Sequence, residues 1–326
     1  MNKFWKDMGI ALTMGLIVPS VLLAGIVSLA TIKPELPVQT DMTIQTGSAE
    51  VMNPQMEIDV LSQEGQVVRL PLDDYLTAVV LAEMPVSFED EALKAQSVVA
   101  RTYTLRAAKG AAKHTEASVC TNSTCCQGYL AVDAFLERGG KEEDVRRIRD
   151  LVASTDGQVL TYEGNLIEAT YFSCSGGTTE DAVAVWGTDV PYLQSVSSPG
   201  EEHAAHYTDS VTFSASDFAS KLGLSLSGAP STWFGTVTYT EGGGVAAMTI
   251  GEQTFTGTEL RKLLELHSTA LRVAVDGNLI TITTRGYGHR VGMSQYGADA
   301  MAAGGSTYPE ILAYYYQGTE LTRYAD

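Results

Sequence analysis

Glu83 stands apart from the other acidic residues by its neighbours: it closes the run Ala78-Val79-Val80-Leu81-Ala82 and is followed by Met84 and Pro85. A carboxylate set among apolar side chains loses hydration, so its pKa is expected to rise and it can serve as a general acid near neutral pH. The negative end of a helix would push the same way. The pattern alone equally describes a rim glutamate in an ion pair, with Lys94 and Arg101 on the next segment as its partners or, in the catalytic reading, as substrate ligands.

His114, Cys120, Cys125 and Cys126 form a second constellation. Two thiolates and an imidazole within about a dozen residues suit a zinc ion that takes one further ligand or a water, although the spacing is not that of a standard finger. A disulfide from Cys120 to Cys125 or Cys126, or free thiols, remain open alternatives; Cys174 stands alone. The stretch Tyr171-Phe172-Ser173-Cys174-Ser175-Gly176-Gly177 reads as a strand entering a double-glycine turn, where backbone N–H groups can approach a ligand or simply close the turn. The run from Gly286 to Gly297 carries His289, Gln295 and Tyr296 among glycines, so it could face a polysaccharide; a histidine there is also a common structural hydrogen-bonder. No Walker loop, Rossmann fingerprint, HExxH or GxSxG is present, and Ser175 has no nameable Asp and His partners.

The elements that must hold these groups are helices and strands without βαβ alternation, which predicts an α+β fold, a single mixed domain of short helices packed on small sheets. Strands are expected around Ile58–Val60 and Val67–Leu70 about the Glu64-Gly65 turn. A helix capped by Asp73 or Asp74 should run to Pro85. Ser87 and Asp90 resemble a capping box for a second helix ending at Gly110. Further helices are expected over Lys141–Ser154, Thr258–Leu266, Ala298–Ala303 and Tyr308–Tyr316. Strands are expected over Gln158–Tyr162, Leu166–Phe172, Thr236–Tyr239, Ala246–Ile250 and Leu279–Thr284.

The chain has 326 residues, 44% apolar and 18% charged, with a formal net charge of −18. That charge excludes nucleic acid as a partner, because binding phosphate needs clustered Lys and Arg. Residues 8–32 carry no charge, and about 20 apolar residues suffice to span a bilayer. Lys3 and Lys6 precede the run, so residues 1–7 are expected to be a cytoplasmic tail, 8–32 a single-pass anchor, 33–54 a linker and 55–326 an extracytoplasmic domain. Cleavage after Ser28-Leu29-Ala30 is the competing reading.

Taken in order, the blocks YLTAVVLAEMPVSFEDEALKAQSVVARTYTL, YFSCSGGTTEDAVAVWG, GTELRKLLELHST and GYGHRVGMSQYGADAMAAGGSTYPEILAYYYQGT resemble the signature segments of the stage II sporulation protein D family over about residues 55 to 322. That family includes peptidoglycan lytic transglycosylases of endospore formers and is related to amidase enhancers. The resemblance implies that Glu83, in its AEMP block, is the catalytic acid and then base that cuts MurNAc–GlcNAc β-1,4 bonds and leaves 1,6-anhydro-MurNAc ends. It implies glycan strands stripped of stem peptides as substrate, with stage II sporulation proteins P, an amidase, and M as partners at the engulfing membrane. Substrate contacts are expected among Lys94, Gln96, Arg101, Tyr171, Ser175, Gly177, His289 and Gln295. Clostridial-type members carry a His and two Cys at the spacing of His114, Cys120 and Cys126, which implies a structural Zn2+ bracing the helix of Gln96, Arg101 and Tyr103, with Cys125 left over. Two departures stand out: Arg290 where the family commonly has Gly, and Cys174 where Ser or Thr is common. The non-catalytic alternative is a glycan-binding enhancer of a cell-wall amidase.

Overall fold

The computed structural model describes residues 56–324. The expected tail, anchor and linker lie outside the described residues, and among those residues no helix is long and apolar enough to cross a membrane. Five small sheets with interspersed helices make up a mixed α+β architecture among the described residues.

The first hairpin pairs Glu57–Leu61 with Val67–Pro71, and the same first strand takes Val119–Cys120 alongside in parallel, Leu61 opposite Cys120. This second pairing fixes the start of the cysteine loop to the body of the fold. Helix α1, Leu72–Glu83, follows at once, and every residue from Tyr75 to Leu81 is buried. Its N-cap is Pro71 with no side-chain cap, so neither Asp73 nor Asp74 caps it; both instead sit in the first turn, where a carboxylate still meets the positive end of the helix. The helix stops because Met84 is extended and Pro85 offers no amide hydrogen.

Helix α2, Asp90–Arg106, runs through the middle of the molecule. Small or apolar residues (Ala92, Leu93, Ala95, Val98, Val99, Ala100) are all fully enclosed, which lets neighbours pack on every side. The expected Ser87 capping box is absent: Glu89 is the N-cap without a side-chain bond, while Glu89 N–H donates to Asp299. The helix loosens into a π-turn over Ala107–Ala111 as Gly110 takes φ +113. Helix Glu142–Ser154 lays Val145, Ile148, Leu151 and Val152 on this core at i, i+3, i+6 and i+7.

A second apolar cluster lies under the antiparallel sheets of Thr208–Ser214, Ala270–Asp276 and Leu279–Arg285, and of Phe234–Tyr239, Val245–Ile250 and Gln253–Phe255. Phe218, Trp233, Met248, Ile250, Leu260 and Ile280 fill it. The expected strand over Leu166–Phe172 divides into Asn165–Leu166 and Tyr171–Phe172, because the latter leaves its neighbour to pair in parallel with Met293–Ser294. That crossover brings the second and fourth sequence blocks side by side.

Candidate active site

Glu83 is the last residue of α1 and reaches an open cleft of about 1250 Å³. The Gly128 N–H donates to Oε1 of Glu83 and orients the carboxylate. A β-carbon at Gly128 would stand 2.8 Å from that oxygen, so the glycine is what lets the backbone come so close. Beneath it, Tyr171 donates to Gln127 Oε1 at 3.3 Å, and Gln127 Nε2 donates to Tyr75 (3.2 Å) and Thr104 (3.0 Å). Burial, followed by the charge of Glu83, holds the Tyr171 phenol well above its ordinary pKa, so it remains a proton donor.

His289 also lines the cleft. Its Nδ1 accepts from the Val291 N–H at 3.1 Å, and burial, then the Arg261 charge, depress its pKa to about 4 against a lifting contribution from the Tyr171 backbone. The ring is therefore neutral at pH 7. It packs against Phe172 and against Trp186, whose indole is 44% exposed at the end of the short helix Ala182–Trp186. Gln295 lines the same wall with a buried, unpartnered Nε2. Glu168 is another carboxylate on the cleft wall, and it pairs with Arg106 at 3.4 Å.

The expected ligands thus divide. Tyr171, His289 and Gln295 share the cleft with Glu83. Arg101 does not: it is fully buried, and its guanidinium donates to the carbonyls of Thr155 (2.9 Å) and Val152 (3.0 Å), tying α2 to the turn after Glu142–Ser154. Burial lowers its pKa to about 10, which still leaves it charged. Gln96 is fully enclosed in α2 with both amide atoms unpartnered, and nothing among the described residues accounts for that. Lys94 bonds Glu91 at 2.7 Å outside the cleft. Ser175 and Gly177 are also outside it, for a specific reason. The N–H groups of Ser175 and Gly176 donate to Oε2 of Glu201 at 2.6 and 3.2 Å, so the double-glycine turn cradles an internal carboxylate where a ligand was expected. Ser175 Oγ donates to the same oxygen and accepts from Gly177 N–H.

Sequence reasoning missed Gly128, Trp186, Glu168 and Arg261. Gly128 and Trp186 left little signal, since a lone Gly in a loop and a Trp beside a glycine are ordinary; Arg261 was visible only as part of the GTELRKLL block.

The cysteine loop closes on itself. His114 Nε2 lies 3.6 Å from the sulfurs of both Cys125 and Cys126, those sulfurs are 4.0 Å apart, and Cys120 completes a set whose donor atoms all lie within 4.8 Å of one another. Tetrahedral zinc bonds near 2.3 Å to sulfur and 2.0–2.1 Å to nitrogen place neighbouring donors about 3.5–3.8 Å apart. The residues present therefore fit the ion, and they supply Cys125 as a fourth donor. Cys126 lies two residues before Gly128, so the loop that would hold the metal also presents the N–H that holds Glu83.

A family model described as stage II sporulation protein matches residues 61–162. Stage II sporulation protein D of Bacillus subtilis (strain 168) is 41% identical over 261 residues, covering 78% of this chain and 76% of that protein. The protein of the same name from Bacillus amyloliquefaciens is 39% identical, covering 78% and 75%. An amidase enhancer of Bacillus subtilis (strain 168) is 30% identical over 307 residues, 76% of this chain and 40% of its own length. With this identity over most of both chains, the chain belongs to the stage II sporulation protein D family.

Proposed function

We propose that this chain is a peptidoglycan lytic transglycosylase in which Glu83 is first the general acid and then the base. The observation that carries the reading is the Glu83 carboxylate, held by the Gly128 N–H on the wall of an open, aromatic-edged cleft large enough for several sugar rings. As acid, Glu83 gives its proton to the glycosidic oxygen as the C1–O bond breaks. As base, it then takes the proton of the same sugar's C6 hydroxyl, whose oxygen closes on C1 to form the 1,6-anhydro ring. One carboxylate completes this cycle, and its proton inventory balances without water. The exposed indole of Trp186 offers a flat apolar face on which a pyranose ring can lie.

Glu168 makes the hydrolytic alternative specific, because a second carboxylate could activate water as in inverting glycosidases. Its pairing with Arg106 favours a surface role instead. A zinc ion in the His114, Cys120, Cys125 and Cys126 set would serve structure, fixing the 125–128 segment and through it Glu83. The setting proposed is the sporulating cell envelope, with an N-terminal anchor, a partner amidase (stage II sporulation protein P) that strips stem peptides, and stage II sporulation protein M. The likeness to an amidase enhancer supports partnership with an amidase.

The test is the product spectrum from stripped glycan strands. Wild type should release anhydro-ended fragments, Glu83→Gln should lose about 10²–10⁴ in rate, and Glu168→Gln should keep the anhydro product. Reducing ends in place of anhydro ends would establish hydrolysis. Glycan binding with amidase stimulation and no cleavage would establish the enhancer reading.

A further inference from the structure

Three cations line the cleft: Lys113, Arg138 and Arg261. Lys113 is engaged, donating to the Cys125 carbonyl and lying 5.8 Å from the Tyr103 ring. Arg138 is exposed at the rim. Arg261 differs from both. It is half-buried and its Nε is fully shielded without a hydrogen-bond partner; like the other two, it has no carboxylate partner among the described residues. Its charge is felt by His289 across the cleft wall, and Tyr287 is the neighbour that partly offsets its burial.

A half-buried guanidinium whose Nε is shielded and unpartnered, with no carboxylate beside it, is better compensated when an anionic group reaches its remaining N–H donors from the cleft. The fold nevertheless holds it in place. Arg261 sits on the helix Gly257–Leu263, started by a reciprocal Thr256–Glu259 capping box and anchored by buried Leu260 and Leu264. Its own carbonyl accepts from Leu266 N–H at 2.8 Å. In a chain of net charge −18, a cleft cation held by its helix with no carboxylate beside it favours an anionic group on whatever binds there.

We propose that Arg261 forms a carboxylate-binding subsite that reads the free lactyl carboxylate of N-acetylmuramic acid, the group uncovered when a stem peptide is removed. The proposal rests on the glycan reading above and adds the residue that would set its substrate preference. A planar guanidinium matches a carboxylate through two parallel N–H donors. The same lactyl group bearing a stem peptide is a neutral amide and offers no such partner. Arg261 would therefore make the stripped strand the better ligand by direct charge recognition, in addition to any steric exclusion of peptides.

The experiment is binding by the full chain in detergent, carrying Glu83→Gln to prevent turnover. Three probes of equal length are compared: a stripped glycan oligosaccharide, its peptide-bearing counterpart, and a chitooligosaccharide that lacks the lactyl group. The stripped glycan should bind at least about tenfold tighter than the chitooligosaccharide, in keeping with a charge-assisted hydrogen bond. Adding Arg261→Met should bring the two within about twofold by weakening the stripped glycan alone, and Arg261→Lys should restore part of the difference. Equal weakening of both, or of neither, overturns the subsite. An Arg261-dependent preference for the peptide-bearing strand also overturns it, assigning the cation to a stem-peptide carboxylate. These readouts need no cleavage, so a failure of the lytic assignment, seen as absent anhydro ends in wild type, is separable from a failure here.

Discussion

The guanidinium of Arg290 lies 3.2 Å from the Glu180 carboxylate, and both side chains are almost wholly withdrawn from water. Arg290 also donates to the carbonyls of Ser175 (2.8 Å), Thr178 (2.7 Å) and Gly242 (2.6 Å), while Glu180 accepts from Thr240 Oγ1 and Gly244 N–H. One pair thus clamps the double-glycine turn to the Thr240–Gly244 turn. The backbone of Arg290 has φ +66, a conformation that would suit the glycine the resemblance led one to expect, while the Arg side chain ties the two turns together.

Removing the clamp should be expensive. Arg290→Ala strands Glu180 in the interior and is expected to cost about 3–5 kcal/mol in urea unfolding. Arg290→Gly relieves the backbone but leaves the carboxylate, so it should recover only about 1 kcal/mol of that loss. Coupling Arg290→Gly with Glu180→Gln should recover more than either change alone predicts. Simple additivity would show that the two residues are not energetically linked.

The helix and strand pattern was largely legible because apolar period is local, although the caps expected at Asp73 or Asp74 and at Ser87 are not formed. Gln158–Tyr162 and the helices around α1, α2 and residues 142–154 fall where their apolar spacing places them. What was not legible is long-range. Arg101 carries no local sign that its partners are the carbonyls of Thr155 and Val152, and Ser175 none that Glu201 occupies its turn. Short elements such as Ala182–Trp186, and edge strands such as Ala270–Asp276 with alternating exposure, were also missed. Cys125 was set aside by the family resemblance, yet folding brings its sulfur as near His114 as that of Cys126.

His289 predicts an acid sensitivity. Its folded pKa near 4 lies below the ordinary 6.5, so between those values the unfolded chain binds a proton that the folded chain does not. Its contribution to stability is therefore full above about pH 7 and is lost progressively as pH falls toward 4, by about 1–3 kcal/mol in total. His289→Gln should flatten this part of the pH–stability curve, whatever its stability at neutral pH. Parallel curves for the two proteins would show that His289 titrates normally.

The cysteine cluster predicts metal content by residue. Full chain purified without chelator should carry about one equivalent of zinc by elemental analysis, with all four donors contributing. Since Cys125 is as well placed as Cys126, Cys125→Ser and Cys126→Ser should each weaken binding about tenfold or more in competition with a chromophoric chelator. Retention of wild-type affinity by Cys125→Ser would return the site to His114, Cys120 and Cys126. A Cys120 disulfide found by mass spectrometry would remove the metal site altogether.

Gly128 offers the sharpest separation of positioning from stability. Its backbone is not in the left-handed region, so alanine suits the local conformation, and the nearest neighbours of the new β-carbon are the Glu83 carboxylate and, at ordinary contact distance, Ala82. The carboxylate must swing aside or lose its hydrogen bond from the Gly128 N–H. A displacement of about 1 Å at a catalytic group can cost about 10²-fold, so Gly128→Ala should lower kcat on stripped glycan by about that factor. Because the cleft is otherwise unchanged, KM should stay within about threefold, and the unfolding midpoint should barely move. A large loss of stability with unaltered kcat would mean that the Glu83–Gly128 contact serves the fold, and that proton transfer belongs to another group.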